Sequence, residues 1–146
     1  MSEVHSVIKN DSVICHHIGI FVDDMERIIQ FYCQHLGFRF EREFSCDEQM
    51  MKTLFRISTP SVVKYLRRGD FRLELFHFQN AKLIARKDTL RGYNHWTLLV
   101  ENKEGFCQDL KKKGIKIIEA AKKDGHVYLI EDPEGNLVEI KEKQKS

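Results

Sequence analysis

Residues 13–38 read VICHHIGIFVDDMERIIQFYCQHLGF, and this stretch decides the fold. Val13 to Val22 is β-branched and apolar, a strand by composition, and it ends at Asp23 and Asp24, whose short carboxylates suit a helix N-cap. Behind that cap, Met25, Ile28, Ile29, Tyr32, Cys33 and Leu36 recur at offsets 0, 3, 4, 7, 8 and 11, the period of one helix face. Gly37 supplies the left-handed stop. A strand therefore runs directly into an amphipathic helix.

Working outward, FRFEREF (residues 38–44) alternates as a strand, and a less regular segment spans Ser45 to Thr59. KYLRRGDFRLELFHF (64–78) predicts two strands about a tight turn at Gly69-Asp70. Gln79 to Arg91 is polar and weakly patterned, which suits a linker. Beyond it NHWTLLV is a strand, Asn102 a cap, and Phe106 and Leu110 a short helical stripe closed by Gly114. IKIIEA, HVYLIED and NLVEIKE then follow as strands separated by the turn signals Asp124-Gly125 and Glu134-Gly135.

The two halves match by count. His17 and Val22 are five apart, as are His95 and Val100, and the helix-stopping glycine comes 20 residues after His17 (Gly37) and 19 after His95 (Gly114). Each half ends in a strand with one glutamate between aliphatics, Leu73-Glu74-Leu75 and Val138-Glu139-Ile140. This is an internal duplication. The expected class is α+β, with two tandem βαβββ modules forming a curved mixed sheet: 13–78, a linker at 79–91, and 92–144, together one domain.

Composition excludes several classes. The chain has 146 residues, enough for one domain but not a multidomain machine. Hydrophobic residues at 42% with only 2 prolines argue for a folded chain, and 24 basic against 22 acidic residues, interspersed, offer no stripe for nucleic acid. No apolar run approaches the roughly 18 to 20 residues of a membrane span, and the N-terminus lacks a signal-peptide layout, so the expected compartment is the cytoplasm. Cys15, Cys33, Cys46 and Cys107 lie far apart with no CxxC pair, which favours reduced thiols over a zinc ribbon or disulfide scaffold.

Strand alternation then groups four ionisable residues. His17 points away from Ile18, Ile20 and Val22, and His95 away from Trp96, Leu98 and Val100. Glu74 and Glu139 likewise point away from their aliphatic neighbours. If the two sheets curl together, two imidazoles and two carboxylates share the face away from the helices. Burying two carboxylates together without compensation is costly, whereas one divalent cation (Zn, Ni, Co, Mn or Fe) neutralises them, accepts imidazole nitrogen, and keeps positions open for substrate oxygens. Open positions imply catalysis rather than a structural site.

HHIGIFVDDMERIIQFYCQHLGF, LELFHF, NHWTLLV and EDPEGNLVEI together resemble the four motifs of the vicinal oxygen chelate superfamily over about residues 13–142. That superfamily includes glyoxalase I, methylmalonyl-CoA epimerase, extradiol dioxygenases, and fosfomycin and bleomycin resistance proteins. By position, the resemblance makes His17, Glu74, His95 and Glu139 the metal ligands of the glyoxalase I branch. It implies a lyase or isomerase in which Glu139 moves a proton between neighbouring carbons through a metal-stabilised enediolate, with Glu74 as the partner on the opposite face. The expected substrate is a small oxo, hydroxycarbonyl or thiol-adduct compound, and the expected assembly a homodimer, with modules meeting within one chain or across two. Methylmalonyl-CoA epimerases usually carry glutamine where Glu74 stands, and the segment Cys46 to Val63 is longer than in minimal glyoxalases, which implies a different substrate wall.

Rival readings are weaker. A lone strand histidine or glutamate is ordinarily structural, and only the repetition at equivalent places lifts these four above that. His16 shares the face of Ile14 and Ile18, and His77 that of Leu73 and Leu75, so both read as structural. His5, His35 and His126 receive no role, and Lys111 to Lys113 complement a helix dipole. Parity directs Phe76 and Phe78 to the pocket and Trp96 to the core. An Fe(II) ring-cleaving dioxygenase using His17, His95 and Glu139 leaves Glu74 in a position that oxygen or catechol needs. A drug-binding protein would not require the ligands, and thiol transfer to an epoxide antibiotic needs only three.

Overall fold

The computed structural model describes residues 14–145. In chain order the first half contains β1 (His17–Phe21), α1 (Met25–Leu36), β2 (Arg39–Cys46), α2 (Glu48–Phe55), β3 (Ser61–Arg68) and β4 (Phe71–Phe78). The second contains β5 (His95–Val100), α3 (Lys103–Lys112), β6 (Ile117–Lys122), β7 (Gly125–Glu131) and β8 (Leu137–Glu142). The duplication is thus an α+β architecture of two four-stranded mixed sheets, ordered β1-β4-β3-β2 and β5-β8-β7-β6. β1 runs parallel to β4 and β5 parallel to β8, while the remaining pairs are antiparallel.

The local signals act as expected. Asp24 accepts from the amide of Arg27 at 3.1 Å and Gly37 adopts φ 72°, bounding α1. Val13 lies outside the described residues, and the ladder of β1 begins at His17. The irregular segment after Ser45 contains a second helix, α2. Asp47 caps it through the amide of Met50 at 2.8 Å, yet among its residues Met51 alone is buried, so there was little periodicity to read. α2 covers the Glu74 face of the first sheet, where Met51 joins Val63, Phe76 and Phe78 in a small apolar cluster. Phe76 and Phe78 therefore have the expected parity but are buried beneath α2.

A larger core joins the halves. α1 contributes Ile28, Phe31, Tyr32 and Leu36, the first sheet Leu66, Leu73 and Leu75, and the second half Leu110, Ile130, Val138 and Ile140. Trp96 packs here as expected, its ring 5.1 Å from Phe71 and stacked on Tyr32 at 6.1 Å. Tyr32 also donates its hydroxyl to the buried Asp132 at 2.7 Å, and Asp132 accepts from Asn136 and the amide of Glu134. The carboxyl of Glu134 in turn accepts from the amides of Asp23 (2.7 Å) and Asp24 (3.0 Å), placing a negative charge at the start of α1.

Burial, followed by the charge and hydrogen bond of Asp132, holds the Tyr32 phenol well above its ordinary range. An unfolded tyrosine ionises near pH 10, so above about pH 10 alkali removes protons from the unfolded chain before the folded one. The contribution is full below that pH and is lost as pH rises. Tyr32→Phe should cost about 1–3 kcal/mol in denaturant unfolding at neutral pH and flatten the alkaline loss of stability; an unchanged midpoint would remove this bond from the forces that join the halves.

Candidate functional site

The four residues grouped by parity fall into two pairs. On the first sheet β1 and β4 lie side by side, and His17 Nε2 approaches Glu74 Oε2 at 2.8 Å. On the second, His95 Nε2 approaches Glu139 Oε2 at 3.2 Å, with Thr97 Oγ1 at 3.5 Å from the same oxygen. His95 Nδ1 is 2.8 Å from Asn94 Oδ1. The side chains of His17 and His95 are 34% and 37% exposed, so both pairs open to solvent on the sheet faces turned away from the shared core.

Within one chain the pairs do not converge. Among the described residues, no group of three or more His, Cys, Asp and Glu side chains is close enough to hold a metal ion. The reason is the packing: Leu73 and Leu75 on one sheet and Val138 and Ile140 on the other enter the same core, so the residues alternating with them point away from it. Each module carries half of the expected tetrad.

The other histidines fall outside the pairs. His16 lies beside His17, with their Nδ1 atoms 2.8 Å apart, and His77 Nδ1 is 3.3 Å from the carbonyl of Val22. His126 faces Glu119 at 3.6 Å on the antiparallel β6–β7 pair. His5 lies outside the described residues. Lys113 closes α3 in an ion pair with Asp109 at 2.9 Å.

The two half-sites have different surroundings. Around Glu74, Tyr65 stands directly opposite on β3, and its ring lies 5.4 Å from that of His17. Arg42 covers the Tyr65 ring at 4.8 Å. Further along β1 and β4, Phe21 and Phe55 sit half-exposed over Phe76 and Phe78, with centroid distances of 4.9–5.7 Å from Phe21 to its three neighbours. Gly19, between His17 and Phe21, lies against this face, where a Cβ would make ordinary contact with Phe76 at 3.6 Å and Glu74 at 3.9 Å. Around Glu139 the opposite residue is Leu129, and the approach to His95 carries the exposed Tyr93. A cavity of about 310 Å³ runs between β1 and the start of β5, with Phe21 and His95 both in its wall.

Sequence reasoning passed over Tyr65, Arg42 and Glu134. Tyr65 was within reach: counting equally back from the Gly69-Asp70 turn sets residue 65 against residue 74. Glu134 had no comparable signal, because its partners are more than a hundred residues away.

Residues 14–140 match the family described as the Glyoxalase/Bleomycin resistance protein/Dioxygenase superfamily. The chain belongs to this superfamily. Among solved structures it is similar to a glyoxalase family protein from Bacillus cereus, at 20% identity over 94% of this chain and 98% of that one, with a TM-score of 0.74. It is also similar to the trypanothione-dependent glyoxalase I of Leishmania major, at 22% identity over 90% and 87%, with a TM-score of 0.70. A lactoylglutathione lyase from Agrobacterium tumefaciens aligns at 17% identity over 92% and 96%, with a TM-score of 0.60. No curated protein sequence matches the chain. At these identities the structural neighbours establish the superfamily's fold for this chain, and the chemistry has to be argued from its own residues.

Proposed function

We propose that the chain is a metal-dependent lyase or isomerase of glyoxalase I type, acting on a small oxo, hydroxycarbonyl or thiol-adduct substrate. The observation that carries this reading is the repetition of one His–Glu pair at equivalent places in both modules, at 2.8 and 3.2 Å, on the faces opposite the core. Two imidazoles and two carboxylates fit a divalent cation such as Zn, Ni, Co, Mn or Fe. When bound, such an ion supplies a Lewis acid that draws electron density from adjacent substrate oxygens and acidifies the neighbouring C–H. His17, Glu74, His95 and Glu139 would hold it.

The protein's own share is proton handling. Glu139 would remove a proton from one substrate carbon and return it to the neighbouring carbon, so that the substrate isomerises with no net gain or loss of atoms. Glu74 would face it across the substrate. The aromatic group at Phe21 and Phe55 would exclude water from one side of this space.

Because one chain presents two separated half-sites, a homodimer would complete the site by bringing His17 and Glu74 of one subunit to His95 and Glu139 of the other. Exposed apolar residues border both halves: Leu54 and Phe55 on α2 by the first, and Leu90 and Tyr93 before the second, Tyr93 being 98% exposed. A symmetric dimer would cover both patches at once. Among the described residues no helix is long and apolar enough to cross a membrane, and the four cysteines are free, which suits a cytoplasmic setting.

Metal analysis of gently purified protein should find about one transition metal per chain, lost in Glu74→Ala and His95→Ala, and turnover of a methylglyoxal–thiol adduct should depend on it. Protein that is metal-free and also refuses added Ni, Co or Zn would leave a binding protein instead. The shared site has its own test. Mixing inactive His17→Ala with inactive His95→Ala subunits should restore about a quarter of wild-type activity, since half the dimers are mixed and each mixed dimer holds one intact site of two. A site formed within one chain would recover nothing.

A further inference from the structure

Sheet pairing gathers basic residues that the sequence keeps apart. In the first sheet Arg72 stands opposite Arg67, and Arg67 opposite Arg39, so one cross-strand row carries three arginines side by side. Neighbouring strands lie about 4.7–4.9 Å apart, and like charges directly opposite one another destabilise a sheet. One carboxylate relieves the row in part. The register shift between Phe40 and Arg42 leaves Glu41 outside the ladder, and its oxygens reach Arg72 Nε at 2.8 Å and Arg67 Nη1 at 3.6 Å. Glu41 pairs with these two and not with Arg39, which ends the row.

This end of the row opens into a cavity of about 870 Å³, a size that suits a small ligand. Its wall contains Arg39, Arg67 and Arg68 from the first module and Lys143 from the second, with Glu41 as the one acidic residue. The lining therefore holds an excess of three positive charges in a chain whose net charge is +2. Asp70 and Glu101 meet Arg67 at 3.5 Å and Lys143 at 2.8 Å, but their side chains are 104% and 81% exposed, where such pairs contribute little.

Two of the arginines are held in place by backbone. Arg68 Nη1 donates to the carbonyl of Gly37 at 3.2 Å, and a Cβ at residue 37 would collide with the Arg68 guanidinium, so the glycine that ends α1 also makes room for this side chain. Arg67 Nε donates to the carbonyl of Gly69 at 2.6 Å. Guanidinium groups anchored along one edge keep further N–H donors for a ligand and lose little freedom when it binds.

We propose that this cavity binds a small phosphorylated compound, whose phosphate or diphosphate group is held by Arg39, Arg67 and Arg68, with Lys143 as a further cation. Charge selects the ligand: a diphosphate matches an excess of three positive charges, a single carboxylate does not, and guanidinium forks suit phosphate oxygens. Three arginines across two strand spacings, about 10 Å, serve one or two phosphates rather than a nucleic-acid strand. The assignment stands apart from the metal-site reading, since it uses none of His17, Glu74, His95 and Glu139.

Calorimetric titration with inorganic pyrophosphate at low ionic strength tests it, on the protein as purified and again in EDTA. One pyrophosphate should bind per chain in both, with affinity falling by roughly tenfold or more in Arg39→Ala and in Arg68→Ala, and falling as salt is raised. Lys111→Ala removes a cation on α3 outside the cavity and should leave the affinity unchanged. Near-UV circular dichroism checks that each variant keeps the wild-type packing, and Arg39→Ala decides the matter if Arg68→Ala does not. Binding that disappears in EDTA would put the pyrophosphate on a metal ion and overturn the proposal. Absence of binding, or an affinity that Arg39→Ala leaves intact or Lys111→Ala lowers equally, would overturn it as well, and each of these results leaves the proposed function standing.

Discussion

Strand alternation around a single shared core is the constraint from which the site follows. Leu73 and Leu75 of β4 and Val138 and Ile140 of β8 are essentially sealed from solvent in one cluster with α1. Each buried aliphatic of that size stabilises the fold by about 1.5–3 kcal/mol relative to exposure, so the register of both sheets is firmly set. A one-residue slip of β4 would drive the Glu74 carboxylate into the core and expose two leucines, a change no local interaction in that strand offsets. The positions of Glu74 and Glu139 are thus consequences of hydrophobic packing on the other side of their strands. The same holds for His17, whose neighbours Ile18 and Ile20 pack against that core.

The tie between the modules is more polar than the core suggests. Tyr32 reaches across to Asp132, and Glu134 reaches back to the first amides of α1, so the β7–β8 turn and the N-terminal end of the first helix hold each other. Asp132 is nearly fully buried, which it tolerates because tyrosine, asparagine and backbone donors surround it. This arrangement also explains why one chain does not unite its four candidate residues. With helix-side surfaces locked together by a buried polar network and an apolar cluster, the opposite faces are committed to pointing elsewhere.

Much of this is legible in the sequence. The apolar stripe of α1, its Asp24 cap, the Gly69-Asp70 hairpin and the paired spacing of the two halves rest on short-range chemistry that a sequence displays directly. α2 was not legible, because a two-turn helix that buries only Met51 has almost no period to detect. That helix matters, since it converts Phe76 and Phe78 from exposed pocket wall into a floor and leaves Phe21 and Phe55 as the accessible aromatics. The split of the tetrad into halves was also hidden: parity says which face a side chain takes, but not how two sheets are placed relative to one another. Tyr65 lay between these cases, being deducible from hairpin arithmetic but carrying no motif that drew attention to it.

Duplication produces symmetry, and the two halves of this chain depart from it around their ionisable pairs. The two modules retain the same backbone order and the same ionisable pair, yet the surroundings have diverged at the places that touch those pairs. The first has acquired a covering helix, an aromatic cluster and a phenol with a stacked arginine. The second keeps an aliphatic residue across from its glutamate and an exposed approach through Tyr93. The His–Glu pair of the first half thus lies beside a packed aromatic floor, and that of the second on a strand face with an aliphatic neighbour and an open approach.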